Sequence, residues 1–321
     1  MNTLRSKVAR QLLITMSVMA GSLSYAEQQS VDERVNVKAD GVVRINIVRG
    51  DINVRGWDKD QVEVRGLLDE ELEEFIFEVD GDETKIQVRI PRNTRGGWSR
   101  KEETELVIRV PQMSKVEFSG ISTDVDIDDV KAGVEVGVVS GDVDLDGGSE
   151  RIILQTVSGE IELRNASGRI RVRTVSGDVQ SYDTSGTSSY GSVSGQLVIE
   201  DGGSDLQLET VSGDIEVIGG NFVNITGHSV SGDIDIRGEL MAGGSIEFDN
   251  VSGTIRLKLH GDINSKFDLE TSSGSIRNRL TNDKPKVSKY VRDERLRFEV
   301  GTGDGEVVFS TRSGDINISS Y

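Results

Sequence analysis

The chain has 321 residues, no cysteine, a formal charge of −18 and only 5% aromatic residues. The absence of cysteine excludes disulfides, thiolate metal sites, a cysteine nucleophile and a cysteine-borne lipid anchor. The strong negative charge argues against nucleic acid or an anionic membrane as a partner, since both bind basic surfaces.

Residues 1–26 are predicted to be a secretory signal peptide. Basic residues precede a mostly apolar stretch from Gln11 to Leu23, and Ser24-Tyr25-Ala26 offers a small-x-small cleavage site. An uncleaved N-terminal anchor fits these flanks less well. No later segment approaches twenty consecutive apolar residues, so we predict no membrane span in the mature chain. After cleavage near Ala26 the protein is expected to be periplasmic or secreted.

Residues 27–118 are predicted to form an N-terminal β cap region. The sequence from Asp69 to Phe77 is the best helix candidate, but we predict loop and strand there. Asp80-Gly81-Asp82-Glu83 indicates a hairpin. Short segments of alternating polarity predict strands at Val35–Val37, Val42–Val48, Ile52–Val54, Gln61–Arg65, Phe75–Val79, Lys85–Ile90 and Glu105–Val110.

Residues 119–280 contain a repeat, because seven copies of Val-Ser-Gly recur at a spacing that is first eighteen residues. They begin at Val139, Val157, Val175, Val193, Val211, Val230 and Val251. Each period consists of two similar nine-residue halves. Alternate residues within a half are apolar or small, as in Val157, Gly159, Ile161 and Leu163, which we expect to point inward. This period of two is typical of a half-buried strand.

Stacked copies of this unit predict the fold class: an all-β, two-sided parallel β-solenoid with coils of about 18 residues and β caps at both ends. Each strand is expected to pair in parallel with its copy one coil later. Eight or nine coils at about 4.8 Å each would give a rod about 40 Å long. Longer spacings in the late repeats predict bulges around 219–227 and 239–244.

Residues 281–321 are predicted to close the other end as a C-terminal β cap. Strands are expected at Arg295–Val300 and Glu306–Ser310, and residues 313–318 repeat the Ser-Gly-Asp-Ile pattern. Without such caps, the terminal strands of a solenoid would leave open edges.

Residues that directly follow the repeat glycine form a mostly acidic column. They are Asp142, Glu160, Asp178, Gln196, Asp214 and Asp233. A divalent cation could relieve the repulsion between them through hard oxygen ligands. We favour the alternative that the aspartates cap backbone amides at the corner of each coil.

Four residues depart from the repeat in a way that points to ligand binding. Arg169, Arg171 and Arg173 share one strand face and could attract an anionic sugar, although a solvated face is the simpler interpretation. Trp98 lies in a Gly- and Arg-rich loop, where an exposed ring could stack on a sugar. Trp57 is instead interpreted as an anchor of the cap.

One coil carries Ser181, Thr184, Ser188 and Tyr190 where other coils carry Ile, Leu or Val. We interpret it as a locally weak coil whose gap Tyr190 fills; a functional notch is the alternative.

The sequence offers little for catalysis. The two histidines, His228 and His260, have no second histidine at metal-ligand spacing. Serines recur with the repeat, and carboxylates are too numerous for one pair to be singled out. We therefore predict no enzyme, no cofactor and no metal site.

The chain resembles the bacterial putative-adhesin family of unknown function with β-strand repeats. The segments that carry the resemblance are residues 48–57, Leu106–Pro111, the Ser-Gly-Asp-Ile series and residues 311–318. The resemblance implies an exported adhesin-like protein and assigns no catalytic or binding residues. The leading hypothesis is a non-enzymatic binding or scaffold protein of the cell envelope, with a glycan or an envelope protein as partner. The alternatives are a carbohydrate-active enzyme on a β-solenoid and a divalent-cation-binding envelope protein.

Overall fold

The computed structural model describes residues 28–91, 102–287 and 293–321. All regular structure in these ranges is β, in 25 strands that pair mostly in parallel, which confirms the all-β prediction. Within the described ranges no helix is long and apolar enough to cross a membrane. The predicted signal peptide and the loop that contains Trp98 lie outside the described residues.

The strands follow one another along the whole described chain. The first seven are β1 (Ser30–Asn36), β2 (Val42–Trp57), β3 (Gln61–Leu67), β4 (Glu74–Asp80), β5 (Glu83–Arg89), β6 (Thr104–Pro111) and β7 (Lys115–Val130). The next nine are β8 (Val134–Gly137), β9 (Val143–Gly147), β10 (Arg151–Ser158), β11 (Ile161–Arg164), β12 (Ser167–Ser176), β13 (Val179–Tyr182), β14 (Ser185–Ser194), β15 (Leu197–Glu200) and β16 (Asp205–Ser212). The last nine are β17 (Ile215–Ser231), β18 (Ile234–Ser252), β19 (Ile255–Leu259), β20 (Ser265–Thr271), β21 (Ile276–Asn278), β22 (Lys286–Val287), β23 (Glu294–Val300), β24 (Gly305–Ser313) and β25 (Ile316–Ser320).

The parallel strands form two ladders. We call each strand, or each half of a long strand that turns a corner, a rung of its ladder. The first ladder runs in the order β5, β2, β7, β8, β10, β12, β14, β16, β17, β18, β24, β20. The second runs β6, β2, β7, β9, β11, β13, β15, β17, β18, β19, β25, β21. The long strands β2, β7, β17 and β18 turn a corner and contribute to both ladders.

Partners in the middle of the ladders lie eighteen residues apart. Ile152 pairs with Ile170 in the first ladder, and Ile161 pairs with Val179 in the second. The register shifts between Ile218 and Asn224, inside the first region where extra residues were predicted to bulge. Additional residues also separate Leu240 from Ser245, inside the second region.

The core lies between the two ladders. Ile152 and Leu154 from the first ladder, and Ile161 and Leu163 from the second, are fully buried. The prediction that Val157 points inward is wrong, because 46% of this residue is exposed while Thr156 is buried. Strand β10 continues its alternation to Thr156, so the change of face occurs later, over residues 158–160. All seven valines of the repeat are exposed by 43–48%.

The repeat glycine is required by a close approach between rungs. Gly159 has a φ of 139°, which disfavours a side chain. A Cβ atom there would also overlap the carbonyl oxygen of Gly141 on the neighbouring rung.

The rungs at both ends do not follow chain order. At the start, β2 lies between β7 on one side and the later strands β5 and β6 on the other. Antiparallel strands β4 and β3 flank that outer rung, and β1 pairs with β3. At the far end, β24 and β25 lie between β18 and β19 on one side and β20 and β21 on the other.

This order differs from the expected one, in which residues 281–321 follow the last repeat as a cap. The antiparallel strand β23 flanks β20 at this end, and β22 pairs with β23. The terminal strands β24 and β25 are inner rungs. Because the segments expected to be caps also supply rungs, each ladder has twelve parallel rungs in the described residues rather than eight or nine. At about 4.8 Å per rung they extend over about 50 Å.

Candidate functional site

The two departures from the repeat that the sequence shows separately are neighbours in the structure. On the outward face of the first ladder, Arg169, Arg171 and Arg173 on β12 pair with Thr187, Ser189 and Gly191 on β14. On its other side β14 pairs with β16, which places Asp205, Gln207 and Glu209 beyond the small residues. Long side chains therefore stand on both sides of a rung that carries small ones.

The result is an open trough of about 520 Å³ that is centred on β14 and extends over the neighbouring strands. We call it the arginine trough: Arg169 and Arg171 form one wall, Thr187 and Ser189 the floor, and Asp205 with Gln207 the opposite wall. Arg173 lines an adjoining depression of about 620 Å³, next to exposed repeat valines. The structure thus brings two of the predicted arginines into one cavity and places the third at its continuation.

The arginines of this wall have no counter-charge. No hydrogen bond or ion pair joins Arg169, Arg171 or Arg173 to another of the described side chains. The opposite wall is two strand spacings away, about 10 Å.

The carboxylates of that opposite wall already have donors. Asp205 accepts hydrogen bonds from Ser204 Oγ at 3.1 Å and from Asn224 Nδ2 at 2.7 Å. Glu209 accepts one from Gln207 Nε2 at 3.1 Å. The guanidinium groups are therefore free to bind an anion, while the acidic side chains are held by their neighbours.

The inward face of the same coil is filled rather than open. Tyr190 is 1% exposed, and its hydroxyl lies 2.8 Å from Ser181 Oγ and 3.4 Å from Thr184 Oγ1. Tyr190 thus fills the gap left by its small neighbours, as the sequence predicts. The alternative, a functional notch, has no counterpart in the core of this coil, and the recess lies on its outward face.

The acidic column on the second ladder has a structural role. Asp142 Oδ1 accepts the backbone N–H of Glu160 at 2.8 Å, so the carboxylate caps the next rung rather than its own. The same bond recurs from Asp124 to Asp142, Asp178 to Gln196, Asp214 to Asp233, Asp233 to Thr254 and Asp315 to Ser275. No bond of this kind extends from Glu160 or Gln196 among the described residues.

These contacts bear on the metal hypothesis. Throughout the described ranges, no group of three or more His, Asp or Glu side chains is arranged to hold a metal ion. Burial and the nearby Glu162 carboxylate raise the pKa of Asp144. Burial and the Asp126 carboxylate likewise raise the pKa of Asp128. Repulsion between carboxylates therefore persists beside the column, at Asp144 and Asp128. The aspartates of the column itself are met by backbone amides.

The remaining candidates show no catalytic arrangement. His228 Nδ1 is 3.7 Å from Asp249 and His260 Nδ1 is 3.8 Å from Glu239, on exposed surfaces. Trp57 is partly buried, and its Nε1 donates to the carbonyl of Gln61 at 2.7 Å, which fits an anchor. Trp98 lies outside the described residues.

Sequence reasoning missed several residues of the trough. Arg151 and Thr187 belong to the same column as Arg169, one coil away on either side. The signal was present in the eighteen-residue spacing. The inward residues Ser188 and Tyr190 stand out because they replace apolar residues, whereas outward positions vary in every coil.

The fold and the site together define an all-β protein of stacked parallel strands with a cationic trough on one outer face. The chain belongs to the Toastrack DUF4097 family, whose model matches residues 58–319. The family resemblance seen in the sequence is thereby confirmed.

Several solved structures are similar to this chain at low sequence identity. A "putative cell adhesion protein" from Clostridium sporogenes is 13% identical, with 91% of this chain and 100% of that chain covered and a TM-score of 0.22. A "putative adhesin" from Bacteroides fragilis is 13% identical, with 92% and 99% covered and a TM-score of 0.35. A "putative lipid binding protein" from Parabacteroides distasonis is 12% identical, with 90% and 96% covered and a TM-score of 0.37. No curated protein matches the sequence.

Proposed function

We propose that this protein is an exported, non-enzymatic β-solenoid that serves as an adhesin-like binding or scaffold protein of the bacterial cell envelope. The observation that carries the proposal is the row of unpaired arginines beside a floor of small side chains. Such a surface binds without transforming, because it presents charge and hydrogen-bond donors but no activated nucleophile or acid–base pair.

The chemistry of the trough favours an acidic glycan as the ligand. Guanidinium groups bind carboxylates and sulfates through paired hydrogen bonds. The hydroxyls of Thr187 and Ser189 on the floor can exchange hydrogen bonds with sugar hydroxyls. The trough is open, extends over several strands and adjoins a second depression, so it suits a linear chain better than a compact small molecule.

Titration calorimetry with a polyuronate oligosaccharide tests this proposal. We expect saturable binding that weakens as salt is added, because the contacts are ionic and exposed. The triple variant Arg169→Gln, Arg171→Gln, Arg173→Gln should bind at least tenfold more weakly. A neutral oligosaccharide of equal length should not bind measurably at the same concentrations.

The matched control removes the same charge elsewhere. Lys131, Lys266 and Arg312 are exposed cations outside the trough, and the triple variant with Gln at these positions should bind like the unmodified protein. Equal losses in both triple variants would show that net charge alone governs binding, and the proposed site would be wrong. The absence of any polyuronate binding would refute the glycan as ligand.

The two alternatives are separable by simple measurements. A carbohydrate-active enzyme would release shorter products from the polyuronate during prolonged incubation, and we expect none. A cation-binding protein would melt at a higher temperature in millimolar calcium than with a chelator. Because the aspartates of the column accept backbone amides, we expect the two midpoints to agree.

A further inference from the structure

A second cationic recess lies on the outward face of the second ladder, near the far end of the molecule. It exists because β25 is inserted between β19 and β21. Asn317 on β25 lies between Arg256 on β19 and Arg277 on β21. Two residues further along β25, Ser319 pairs with Lys258. The backbone N–H of Arg279 donates a hydrogen bond to the carbonyl of Ile318.

The recess has a volume of about 520 Å³ and combines five cations and one carboxylate with a polar floor. The partly buried Asn317 and Ser319 form the floor, and the sides are formed by Arg237, Arg256, Lys258, Arg277, Arg279 and Asp235. We call this group the terminal cation cluster. Such a concentration of positive charge is notable in a chain whose formal charge is −18.

Three of these five cations have a counter-charge. Arg237 Nη2 is 2.9 Å from Asp235, which also lines the recess. Arg256 Nη1 is 2.9 Å from Asp233, and Arg277 Nη1 is 3.7 Å from Asp315. Both aspartates also accept backbone amides of neighbouring rungs, from Thr254 and Ser275. These two arginines are therefore partly neutralised and fixed in position from the corner side of the recess.

The other two cations, Lys258 and Arg279, have no acidic partner among the described residues. Lys258 Nζ lies 4.9 Å from the centroid of the Tyr321 ring, a contact that holds the ammonium group without neutralising it. Among the described residues, none forms a hydrogen bond or an ion pair with the guanidinium of Arg279. The side chains of Asn317 and Ser319 likewise have no hydrogen-bond partner within the described ranges.

We propose that the terminal cation cluster is a binding site for an oxyanion of the phosphate or sulfate type. Two uncompensated cations, three further arginines that are ion-paired, and the amide and hydroxyl donors of the floor match the several acceptor oxygens of such a group. The site is independent of the arginine trough, since it lies on the other ladder several rungs away. The exposed ring of Tyr321 offers a surface for a sugar that carries the anion.

Calorimetric titration with inorganic phosphate, glucose 6-phosphate and glucose tests the site and distinguishes the sources of the anion. We expect phosphate to bind saturably and glucose not to bind. If glucose 6-phosphate binds at least fivefold more tightly than phosphate, the natural ligand is a phosphorylated sugar. Equal affinities indicate that the anion alone is recognised. A failure of both phosphates to bind at low salt would overturn the proposal.

The double variant Lys258→Gln, Arg279→Gln should weaken phosphate binding at least tenfold. Both side chains are exposed, so the variant should fold, and its melting midpoint checks this. The control is the double variant Arg169→Gln, Arg171→Gln, which loses the same charge in the arginine trough and should bind phosphate normally. Equal losses of phosphate affinity in the two double variants would show that net charge alone governs binding. The proposed site would then be wrong. Polyuronate binding should weaken in the variant Arg169→Gln, Arg171→Gln and stay unchanged in the variant Lys258→Gln, Arg279→Gln. Either proposal can therefore fail while the other holds.

Discussion

At the scale of single residues, the Asp that follows each repeat glycine stabilises the contact between rungs. Its side chain reaches the backbone N–H one rung further on, as from Asp142 to Glu160 at 2.8 Å. Aspartate has the right length for this bond, whereas Glu160 is hydrogen-bonded to Gln180 instead. The preference for Asp in the repeat therefore has a local geometric reason.

This contact predicts a change in stability of known sign. Asp142→Ala leaves the amide of Glu160 without its acceptor and should lower the free energy of unfolding by about 1 kcal/mol. Glu160→Ala breaks no such amide bond and serves as the matched control, with an effect within about 0.5 kcal/mol. Urea denaturation followed by circular dichroism measures both. Equal effects would contradict the capping role.

The repeat valine and the valine after the corner differ in burial, although both look like core residues in the sequence. Val175 is 45% exposed and Val179 is fully buried. Val175→Thr should change the free energy of unfolding by no more than about 0.5 kcal/mol. Val179→Thr buries a hydroxyl in the core and should cost about 1–3 kcal/mol. A large loss from the first substitution would mean that the exposed valines are covered by a partner.

The sequence predicts the burial and the contacts of single residues only in part. Alternation identifies the inward residues of each straight strand, such as Ile161 and Leu163. It fails at Val157 because nine-residue halves require one change of face per corner, and alternation alone does not show at which residue the change occurs. The sequence predicts that the aspartates of the column cap backbone amides. It does not predict that the capped amide belongs to the next rung, because this depends on how the rungs are stacked.

At the scale of elements, the titration of Asp315 couples pH to the stability of the last rungs. Hydrogen bonds from the Ser275 hydroxyl and amide lower the pKa of Asp315, and Arg277 adds to the effect. The pKa of Asp315 is therefore lower in the folded protein than in the unfolded protein. Its ionised carboxylate contributes fully to the free energy of unfolding at any pH above the unfolded-state pKa. This contribution is lost as the pH falls through the folded-state pKa.

The isosteric variant Asp315→Asn tests this coupling. The variant should be less stable than the unmodified protein at pH 7, because it loses the charge that Ser275 and Arg277 stabilise. As the pH falls below the ordinary carboxyl pKa, the difference between the two proteins should shrink. Denaturant midpoints at pH 7, 5 and 3 measure it. A difference that stays constant over this range would contradict the ionic contribution.

The arginine trough is an element-scale feature that the sequence predicts only in part. Arg169, Arg171 and Arg173 are visible as a run on one strand face. That they form a wall depends on the small outward residues of the next strand, and the pairing register determines which residues those are. The terminal cation cluster could not be predicted in this way, because Asn317 is sixty-one residues from Arg256 and forty from Arg277.

At the scale of the whole molecule, the last strands in the sequence are not the last in space. Strand β24 pairs with both β18 and β20, so it is an inner rung of the first ladder. Deleting residues 305–321 should therefore remove the support of residues 265–278, although these precede the deletion. Hydrogen exchange should show loss of protection at 265–278, while strands β10 to β16 stay protected.

Two point variants give the same test without a deletion. Val307 is fully buried in this rung and Val308 is partly exposed on its outward face. Val307→Asp should reduce protection at 265–278 as the deletion does, whereas Val308→Asp should not. Full protection at 265–278 in both the deletion and Val307→Asp would contradict the inserted position of β24.

The fold class is predictable from the sequence because it depends on a short repeat. The order of the strands at the two ends is not predictable in this way. The repeat of eighteen residues implies stacked parallel strands without any knowledge of distant pairing. At the ends the same local pattern recurs in residues 311–318, but the order of stacking depends on which edges are free when each segment docks. Local sequence carries no information on that order.

The inserted rungs also constrain how such a chain can grow over evolutionary time. A duplicated terminal unit would have to enter an occupied slot between two existing rungs, so lengthening at either end is obstructed. A duplicated eighteen-residue unit between 134 and 218 adds one rung and leaves both ends intact. Growth by duplication is therefore easiest in the middle of the ladders, where the spacing of eighteen residues is regular.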